Sequence, residues 1–176
     1  MKIKLYRSAT IGIETNGYKL LTDPWLTDGE YYGSWSHYPY YDLDKNLNEI
    51  NSYNGIYISH IHPDHCSEET LKKINKEIPV FIHKYHAPFL KFKIEGLGFK
   101  VKEINNGETL KLSKNLDITI FAADDCNPEK CYKFLGCANF SHNEGSQQID
   151  SLAIIRDKEN NKLNINDCPY DLSKNV

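Results

Sequence analysis

Short apolar stretches separated by turn residues dominate the start of the chain. They cover Lys2–Tyr6, Thr10–Glu14 and Tyr18–Thr22, and Asn16-Gly17 separates the last two. Because Asn-Gly is the preferred sequence of a two-residue hairpin turn, this pattern predicts an antiparallel meander of three strands. Later apolar clusters between turn signals predict further strands, which are Ile56–Ile58, Pro79–His83, Phe99–Ile104, Glu108–Leu112, Leu116–Ala122, Ser151–Arg156 and Lys162–Ile165.

The polar segments between these strands predict short helices. Residues 42–55 contain one, and Ala87–Lys93 form another. A third begins after Ser67, a favourable N-cap, because Glu68 and Glu69 suit the positive end of a helix. Strands that first form a meander and then alternate with helices indicate a mixed α/β fold. The chain has 176 residues, the size of one domain, so we expect a single domain over residues 1–176.

Charge and composition narrow the classes of partner. The formal net charge is −3 and the two signs are interspersed, so there is no basic patch for nucleic acid. No apolar stretch approaches the length of a membrane span, and the first residues lack the apolar core of a signal peptide. Five cysteines, an odd number without secretory context, favour reduced thiols and a cytoplasmic location. We therefore expect a small-molecule substrate and neither a nucleic-acid nor a membrane partner.

Four potential metal ligands follow directly after the predicted strand Ile56–Ile58. They are His60, His62, Asp64 and His65. In an extended segment, alternate residues share a face, so the first three are expected to point the same way, and Pro63 keeps the residue before it extended. Imidazole and carboxylate groups are the ligands of zinc, iron or manganese. The cluster therefore predicts a metal site with room for two ions.

An aromatic-rich segment runs from Tyr31 to Tyr41, with glycine and proline among its residues. It fits neither a helix nor a strand pattern, so we expect a loop. Aromatic side chains on a loop stack on sugar or base rings, or they cover the edge of a sheet, and both interpretations remain open here. If the loop forms one wall of a substrate pocket, the candidate contacts are Trp35, His37 and Tyr38.

The stretch Ser59–His65 resembles the His-x-His-x-Asp-His signature of the metallo-β-lactamase superfamily. The early Thr22–Trp25 and the late predicted strand before Asp167 also occur where that fold has them. The resemblance implies a four-layer αββα sandwich, with two mixed sheets face to face, helices outside and metals at one edge. A last histidine expected well after Asp167 is absent, so we expect either a domain that lacks part of its C-terminal half or a weakly held second ion.

A finer resemblance concerns the CMP-N-acetylneuraminate hydroxylase family. The stretches Tyr57–Leu71 and Ile149–Cys168 are similar to the corresponding stretches of that family. In those proteins a Rieske iron–sulfur domain accompanies the metallo-β-lactamase-like domain. This sequence has no Cys-x-His and Cys-x-x-His pair to hold such a cluster, which excludes an iron–sulfur hydroxylase that acts alone.

The superfamily resemblance also implies a role for each ligand. His60 and His62 bind the first ion, Asp64 and His65 bind the second, and Asp167 bridges both. Asp64 is in addition expected to orient the metal-bound hydroxide, as a catalytic residue.

A further histidine of the superfamily binds the first ion from a position after the strand Leu116–Ala122. Here Asn127 occupies the expected place, and His142 lies further along the chain. The two residues are alternative candidates for the extra ligand.

Three functions are compatible with such a site. The first is a hydrolase with one or two zinc ions that uses metal-bound hydroxide on an ester, lactone, amide or phosphoester, with a sugar or nucleotide sugar as one substrate class. The second, with iron, is the substrate-binding or catalytic part of a sugar-nucleotide hydroxylase that works with a separate Rieske protein. The third is a non-catalytic remnant. Manganese is an alternative metal, and a homodimer or a separate electron-transfer partner is the expected assembly.

Overall fold

The computed structural model describes residues 1–85, 87–122 and 150–168. Within these residues the chain forms ten strands and three helices. The strands are β1 (Lys2–Arg7), β2 (Thr10–Thr15), β3 (Tyr18–Thr22), β4 (Gly55–Tyr57), β5 (Val80–His83), β6 (Val101–Ile104), β7 (Thr109–Ser113), β8 (Leu116–Ala122), β9 (Ser151–Arg156) and β10 (Asn161–Asn164). The helices are α1 (Leu43–Ile50), α2 (Glu68–Lys73) and α3 (Phe89–Gly96).

The first sheet has six strands in the order β1-β2-β3-β4-β5-β6. The pairs β1–β2 and β2–β3 are antiparallel, whereas β3 to β6 run parallel. Asn16 and Gly17 have φ angles of 47° and 81°, as a type I′ hairpin turn requires, and the flanking Thr15 and Tyr18 are paired. The predicted meander is confirmed.

The second sheet has four strands in the order β10-β9-β8-β7. All of its described neighbours are antiparallel. Among the described strands, the expectation of a mixed sheet is therefore confirmed for the six-stranded sheet, whereas the four described strands of the second sheet are all antiparallel. The physical reason lies in the connections: β7–β8 and β9–β10 are joined by short turns, which permit antiparallel pairing, whereas a parallel pair needs a long crossover.

Two hydrophobic cores separate the described elements into layers. One lies between the sheets and includes Leu20, Tyr57, Ile118 and Ile155. The other lies between the six-stranded sheet and the helices, and it contains buried residues of α1, α2 and α3. Each fully buried leucine or isoleucine contributes roughly 1.5–3 kcal/mol, so these two cores supply most of the driving force for the sandwich. In the described part of the chain, the layers are helices, mixed sheet and antiparallel sheet, which are three of the four layers of the predicted sandwich.

The helix ends follow from their capping residues. The Ser67 side chain accepts a hydrogen bond from Thr70 N, which confirms the predicted start of α2. Asp42 caps α1 in the same way. Helix α3 begins later than predicted because Pro88 is its N-cap, and it continues to Gly96. Across the three described segments, no helix is both long and apolar enough to cross a bilayer.

At one end of the sandwich, residues that follow or precede strands of both sheets lie close together. Strands β3 and β4 are parallel, so the residues after them, Asp23 and Ser59-His60, emerge at the same edge. Strands β9 and β10 are antiparallel, so Asp150, just before β9, and Asp167, after β10, also share an edge. Ser151 Oγ joins the two sheets here because it donates to the Ser59 carbonyl over 2.7 Å.

Candidate metal site

His60 is fully buried, and its neighbours determine which ring nitrogen faces the site. Ser59 Oγ donates to Asp23 Oδ2 over 2.9 Å and lies 2.9 Å from His60 Nδ1. Because a hydroxyl has one hydrogen, His60 Nδ1 must be the donor to Ser59 Oγ. The lone pair of His60 is then on Nε2, the nitrogen that a metal would bind.

A first group of ligand atoms surrounds His60 Nε2. His62 Nδ1 lies 3.0 Å from it and Asp167 Oδ2 lies 3.8 Å from it. The ligand atoms of these three residues all lie within 4.8 Å of one another. Burial, followed by the charges of His65 and His62, lowers the pKa of His60 to about 2, so this ring is neutral at physiological pH. A neutral imidazole is the form that binds metals.

A second group lies beside the first. His65 Nε2 is 3.5 Å from Asp64 Oδ2 and 3.4 Å from Asp167 Oδ2, and the three ligand atoms again lie within 4.8 Å of one another. Asp167 therefore belongs to both groups. Burial lowers the pKa of His65, but the hydrogen bond from Nδ1 to Asp23 and the nearby carboxylate charges outweigh it, so the net shift is upward.

Asp23 supports both groups, and the sequence did not identify it as a site residue. Its φ angle is 41°, in the left-handed region, and its N–H donates to the Tyr57 carbonyl over 2.9 Å. The carboxylate accepts hydrogen bonds from Ser59 N, Ser59 Oγ and His65 Nδ1 at 2.7, 2.9 and 3.0 Å. Complete burial raises the pKa of Asp23, and these bonds oppose that shift. The sequence offered two signals for it: the aspartate directly follows the strand that pairs with β4, and it belongs to Thr22–Trp25, which occurs where the metallo-β-lactamase fold has that stretch.

Asp64 reaches the site from a turn. His65 N and Cys66 N both donate to the His62 carbonyl, over 3.0 and 2.8 Å. The chain therefore turns directly after His62, where the fixed φ of Pro63 suits the second position of a turn. The prediction that Asp64 shares an extended face with His60 and His62 is wrong, because Asp64 is grouped with His65 instead.

Tyr31 links the aromatic loop to the ligand cluster, which the sequence also did not reveal. Its hydroxyl donates to Asp64 Oδ1 over 2.7 Å. Burial, followed by this hydrogen bond, raises the pKa of Tyr31 well above its usual range, so the phenol keeps its proton. The φ angle of Tyr31 is 51°, and its ring lies 4.8 Å from the ring of Trp35.

The three predicted substrate contacts have different surroundings. Trp35 is 52% exposed and packs on Tyr31, one side chain away from Asp64. Tyr38 is fully exposed. The ring of His37 packs on Trp25 with 3.8 Å between centroids, and burial, with the charge of Arg7, lowers the pKa of His37. Of the three, Trp35 is the one with a described connection to the ligand cluster.

The candidates for an extra ligand, Asn127 and His142, lie outside the described residues. The described chain resumes at Asp150, whose Oδ1 lies 3.6 Å from His60 Nε2. Burial, followed by the charge of Asp167, raises the pKa of Asp150 to about 7. This residue was not among the predicted ligands.

The donor set fits a divalent transition metal. Imidazole nitrogens and carboxylate oxygens converge from two directions, and they are the ligands of zinc, iron and manganese. The buried Oδ1 of Asp150 has no hydrogen-bond partner among the described residues, an arrangement that a cation would stabilise.

The sequence and the fold are similar to those of known proteins. Residues 2–132 match the protein family that is described as the beta-lactamase superfamily domain. The isothiocyanate hydrolase from Delia radicum gut bacteria has a similar structure, with a TM-score of 0.62 and 18% identity over 89% of this chain and 58% of that chain. CmlA, a diiron beta-hydroxylase from Streptomyces venezuelae, has a TM-score of 0.58 and 22% identity over 91% of this chain and 28% of that chain. At these identities the likeness shows the fold, and it confirms the predicted metallo-β-lactamase-like architecture.

Curated relatives share sequence with the chain as well. The cytidine monophosphate-N-acetylneuraminic acid hydroxylase of Xenopus laevis is 27% identical over 168 residues, which cover 91% of this chain and 24% of the relative. A Mycolicibacterium smegmatis protein, whose name places it among Rieske 2Fe-2S iron-sulfur proteins, is 33% identical over 89 residues, 49% of this chain and 17% of the relative. The chain thus spans a quarter or less of these relatives. The predicted similarity to the hydroxylase family is confirmed.

Proposed function

Since the chain belongs to the family of the beta-lactamase superfamily domain, we propose that it is a metal-dependent hydrolase with a two-ion centre. The observation that carries this proposal is the location of Asp167 Oδ2, 3.8 Å from His60 Nε2 and 3.4 Å from His65 Nε2. A carboxylate between two groups of ligands is suited to bridge a pair of cations. Zinc is our first assignment, with iron and manganese as alternatives that accept the same ligands.

The proposed ligands divide as the two groups of atoms do. His60 and His62 bind the first ion, Asp64 and His65 bind the second, and Asp167 is shared. Because each ion also needs room for a substrate or water, these incomplete sets suit a catalytic site better than a closed structural one.

Neighbouring side chains hold the ligands in their binding orientation. Ser59 accepts from His60 Nδ1, and Asp23 accepts from His65 Nδ1, so the lone pair of each ring is on Nε2, the nitrogen that we propose binds the metal. A histidine oriented by a carboxylate is also a more basic ligand. These contacts are buried, so water does not compete with them, and they support a preformed site.

The chemistry proposed is hydrolysis of an ester, lactone, amide or phosphoester. Bound ions lower the pKa of coordinated water towards neutrality and polarise a substrate oxygen. Asp64 orients the attacking water through its Oδ2, because its Oδ1 is engaged by Tyr31 at 2.7 Å. We assign Asp64 as the catalytic residue on this basis.

The substrate proposed is a small molecule that contains a sugar or a nucleotide sugar. Trp35 is half exposed and packs on Tyr31, so its ring flanks the side chain that contacts Asp64. Exposed aromatic faces suit sugar and base rings. Tyr38 offers a second exposed ring on the same loop, and His37 is the third proposed contact.

A second candidate function is oxidation with iron. The similarity to the Xenopus laevis hydroxylase over 91% of this chain supports it, as does the first group, which has two histidines and one carboxylate. That ligand set is typical of non-haem iron(II) sites. The proposed partner is then a Rieske-type electron-transfer protein, which the similarity to the Mycolicibacterium smegmatis protein supports.

Metal content and activity together test the proposal. The purified chain is analysed for bound metals, then loaded separately with Zn²⁺, Mn²⁺ or Fe²⁺ and assayed on generic esters, lactones and phosphodiesters. In parallel, the iron form is assayed for oxygen uptake with a reductant. The comparison is His62→Ala, which removes one proposed ligand. The hydrolase proposal predicts zinc- or manganese-dependent hydrolysis that His62→Ala lowers by at least about tenfold.

Each alternative has a distinct outcome. Oxygen uptake that requires iron and His62, without hydrolysis, would replace the hydrolase with the oxidoreductase. Equal rates for wild type and His62→Ala on every substrate would support the third hypothesis, that the chain is a non-catalytic remnant.

A further inference from the structure

Asp150 is a buried acidic residue beside the first group of ligands, and no role has been assigned to it. Its side chain is 6% exposed. It directly precedes β9, and the next residue, Ser151, donates through Oγ to the Ser59 carbonyl and lies 2.9 Å from Tyr57 OH. This junction between the two sheets fixes the backbone at Asp150 next to the backbone that carries His60.

The environment of Asp150 lacks the donors that a buried carboxylate ordinarily has. Its Oδ1 is fully buried and accepts no hydrogen bond from any described residue. The same atom faces His60 Nε2 at 3.6 Å. The hydrogen of His60 is on Nδ1, where it is donated to Ser59, so Nε2 offers Oδ1 a lone pair rather than a donor.

Two lone pairs that face each other in a buried site repel, and they are costly without a partner. Asp167 adds a further carboxylate to the same group, since its Oδ2 lies 3.8 Å from His60 Nε2. A cation located between these atoms would satisfy all of them at once. Among the described residues, His62 Nδ1 lies 3.0 Å from His60 Nε2 and is the donor available to that nitrogen, whereas Asp150 Oδ1 has none.

We propose that Asp150 is a ligand of the first ion and completes its set with His60, His62 and Asp167. This inference rests on the proposed two-ion centre. The assignment gives the first ion two imidazoles and two carboxylates, which makes its set richer in oxygen than one with a third histidine. Sets of two imidazoles and two carboxylates suit iron and manganese as well as zinc.

Co²⁺ binding tests the assignment, because Co²⁺ reports its ligands through visible absorption. The metal-free chain is titrated with Co²⁺, and affinities are measured by competition with a chelator. His62→Ala and Asp64→Asn identify the absorption bands of the first and second ion. Asp117→Asn is the matched control, since it removes the same charge near the start of β8, away from the Ala122 end that pairs with Ser151.

The expected result is two Co²⁺ per wild-type chain and a selective effect of Asp150→Asn. That variant weakens the first Co²⁺ by at least about tenfold and alters the bands that His62→Ala removes. Asp117→Asn binds as wild type does. Circular dichroism of the metal-free forms checks folding, and Asp150→Ser replaces Asp150→Asn if the amide variant does not fold.

Two results would overturn the inference in different ways. If Asp150→Asn keeps the wild-type first-ion bands and affinity, Asp150 is not a ligand, whereas the two-ion centre stands. If the wild-type chain takes up no Co²⁺, the two-ion centre and the inference are both overturned. If Asp150→Asn lost only the Co²⁺ absorption bands that Asp64→Asn also removes, the assignment of Asp150 to the first ion would be contradicted as well.

Discussion

Asp23 Oδ2 accepts a hydrogen bond from His65 Nδ1 over 3.0 Å, although Asp23 is not itself among the proposed ligands. The same carboxylate accepts from both the backbone and the hydroxyl of Ser59, which in turn accepts from His60 Nδ1. One buried side chain thereby orients a histidine in each of the two groups. This relationship makes Asp23 a positioning residue for both proposed ions.

Replacing Asp23 should weaken metal binding without removing a ligand. Asn is the appropriate substitute because, like Asp, it tolerates the positive φ of 41° at this position. Asp23→Asn loses the charge that orients His65, so we expect metal affinity to fall by about 10–100-fold. Competition with a chelator measures the affinity, and Asp117→Asn serves as the control for loss of one charge. Unchanged affinity in Asp23→Asn would contradict a positioning role.

The hydroxyl of Tyr31 should affect the second ion more than the first. Tyr31→Phe removes the hydrogen bond of 2.7 Å to Asp64 Oδ1 and keeps the ring that packs on Trp35. We expect the affinity for the second ion to fall by about tenfold. Tyr32→Phe is the matched control, because Tyr32 is the next residue and is fully exposed. Equal effects of the two variants on Co²⁺ titration would show that the Tyr31 contact has no role.

The junction at Ser151 should contribute to stability. Ser151→Ala removes a donor to the Ser59 carbonyl and the partner of the buried Tyr57 hydroxyl. Leaving a buried polar group unsatisfied costs roughly 1–3 kcal/mol of unfolding free energy. Chemical denaturation of the metal-free chain measures this loss, with Ser36→Ala, at an exposed loop position, as control. A change below about 0.5 kcal/mol would mean that other contacts hold the sheets together here.

The turn between β9 and β10 predicts a specific acid sensitivity. The hydrogen bond from Glu159 N, with those from Thr15 Oγ and Asn160, holds the pKa of Asp157 below its usual 3.8. A carboxyl group whose pKa is lower in the folded state than in the unfolded state stabilises the fold at pH values above its unfolded-state pKa. That contribution is lost as the pH falls below about 4.

Asp157→Asn should therefore reduce the dependence of unfolding free energy on pH below about pH 4. The metal-free chain is used, so that metal release does not contribute. Glu159→Gln removes a carboxylate from the same turn and is expected to keep the wild-type dependence. If the unfolding free energy of Asp157→Asn changed with pH as steeply as that of the wild type, the assigned role of these hydrogen bonds would be contradicted.

The sequence predicted those features that depend on neighbours along the chain. The bounds of Tyr18–Thr22, Leu116–Ala122 and Ser151–Arg156 agree with the structure, because hydrophobic patterning and turn residues define them locally. The cap at Ser67 was predictable for the same reason. The histidine cluster was visible as well, since its ligands occupy a few consecutive positions.

The features that the sequence did not reveal depend on pairing between distant segments. Asp23 meets Ser59 because β3 and β4 are parallel neighbours, and Tyr31 meets Asp64 because the aromatic loop folds over the same edge. Asp150 meets His60 only once the second sheet packs on the first. The prediction for Asp64 was wrong for a local reason, since the chain turns directly after His62, whereas the extended pattern continued to Asp64.

The most direct test of the two-ion centre is an anomalous difference map from a crystal of the metal-loaded chain. The account predicts two peaks, roughly 3.5–4 Å apart, with the carboxylate of Asp167 between them. One peak should lie at ligand distance, about 2.0–2.1 Å, from His60 Nε2 and His62 Nδ1, and the other beside Asp64 and His65. A fully loaded crystal with no peak at His60 and His62 would contradict the central claim.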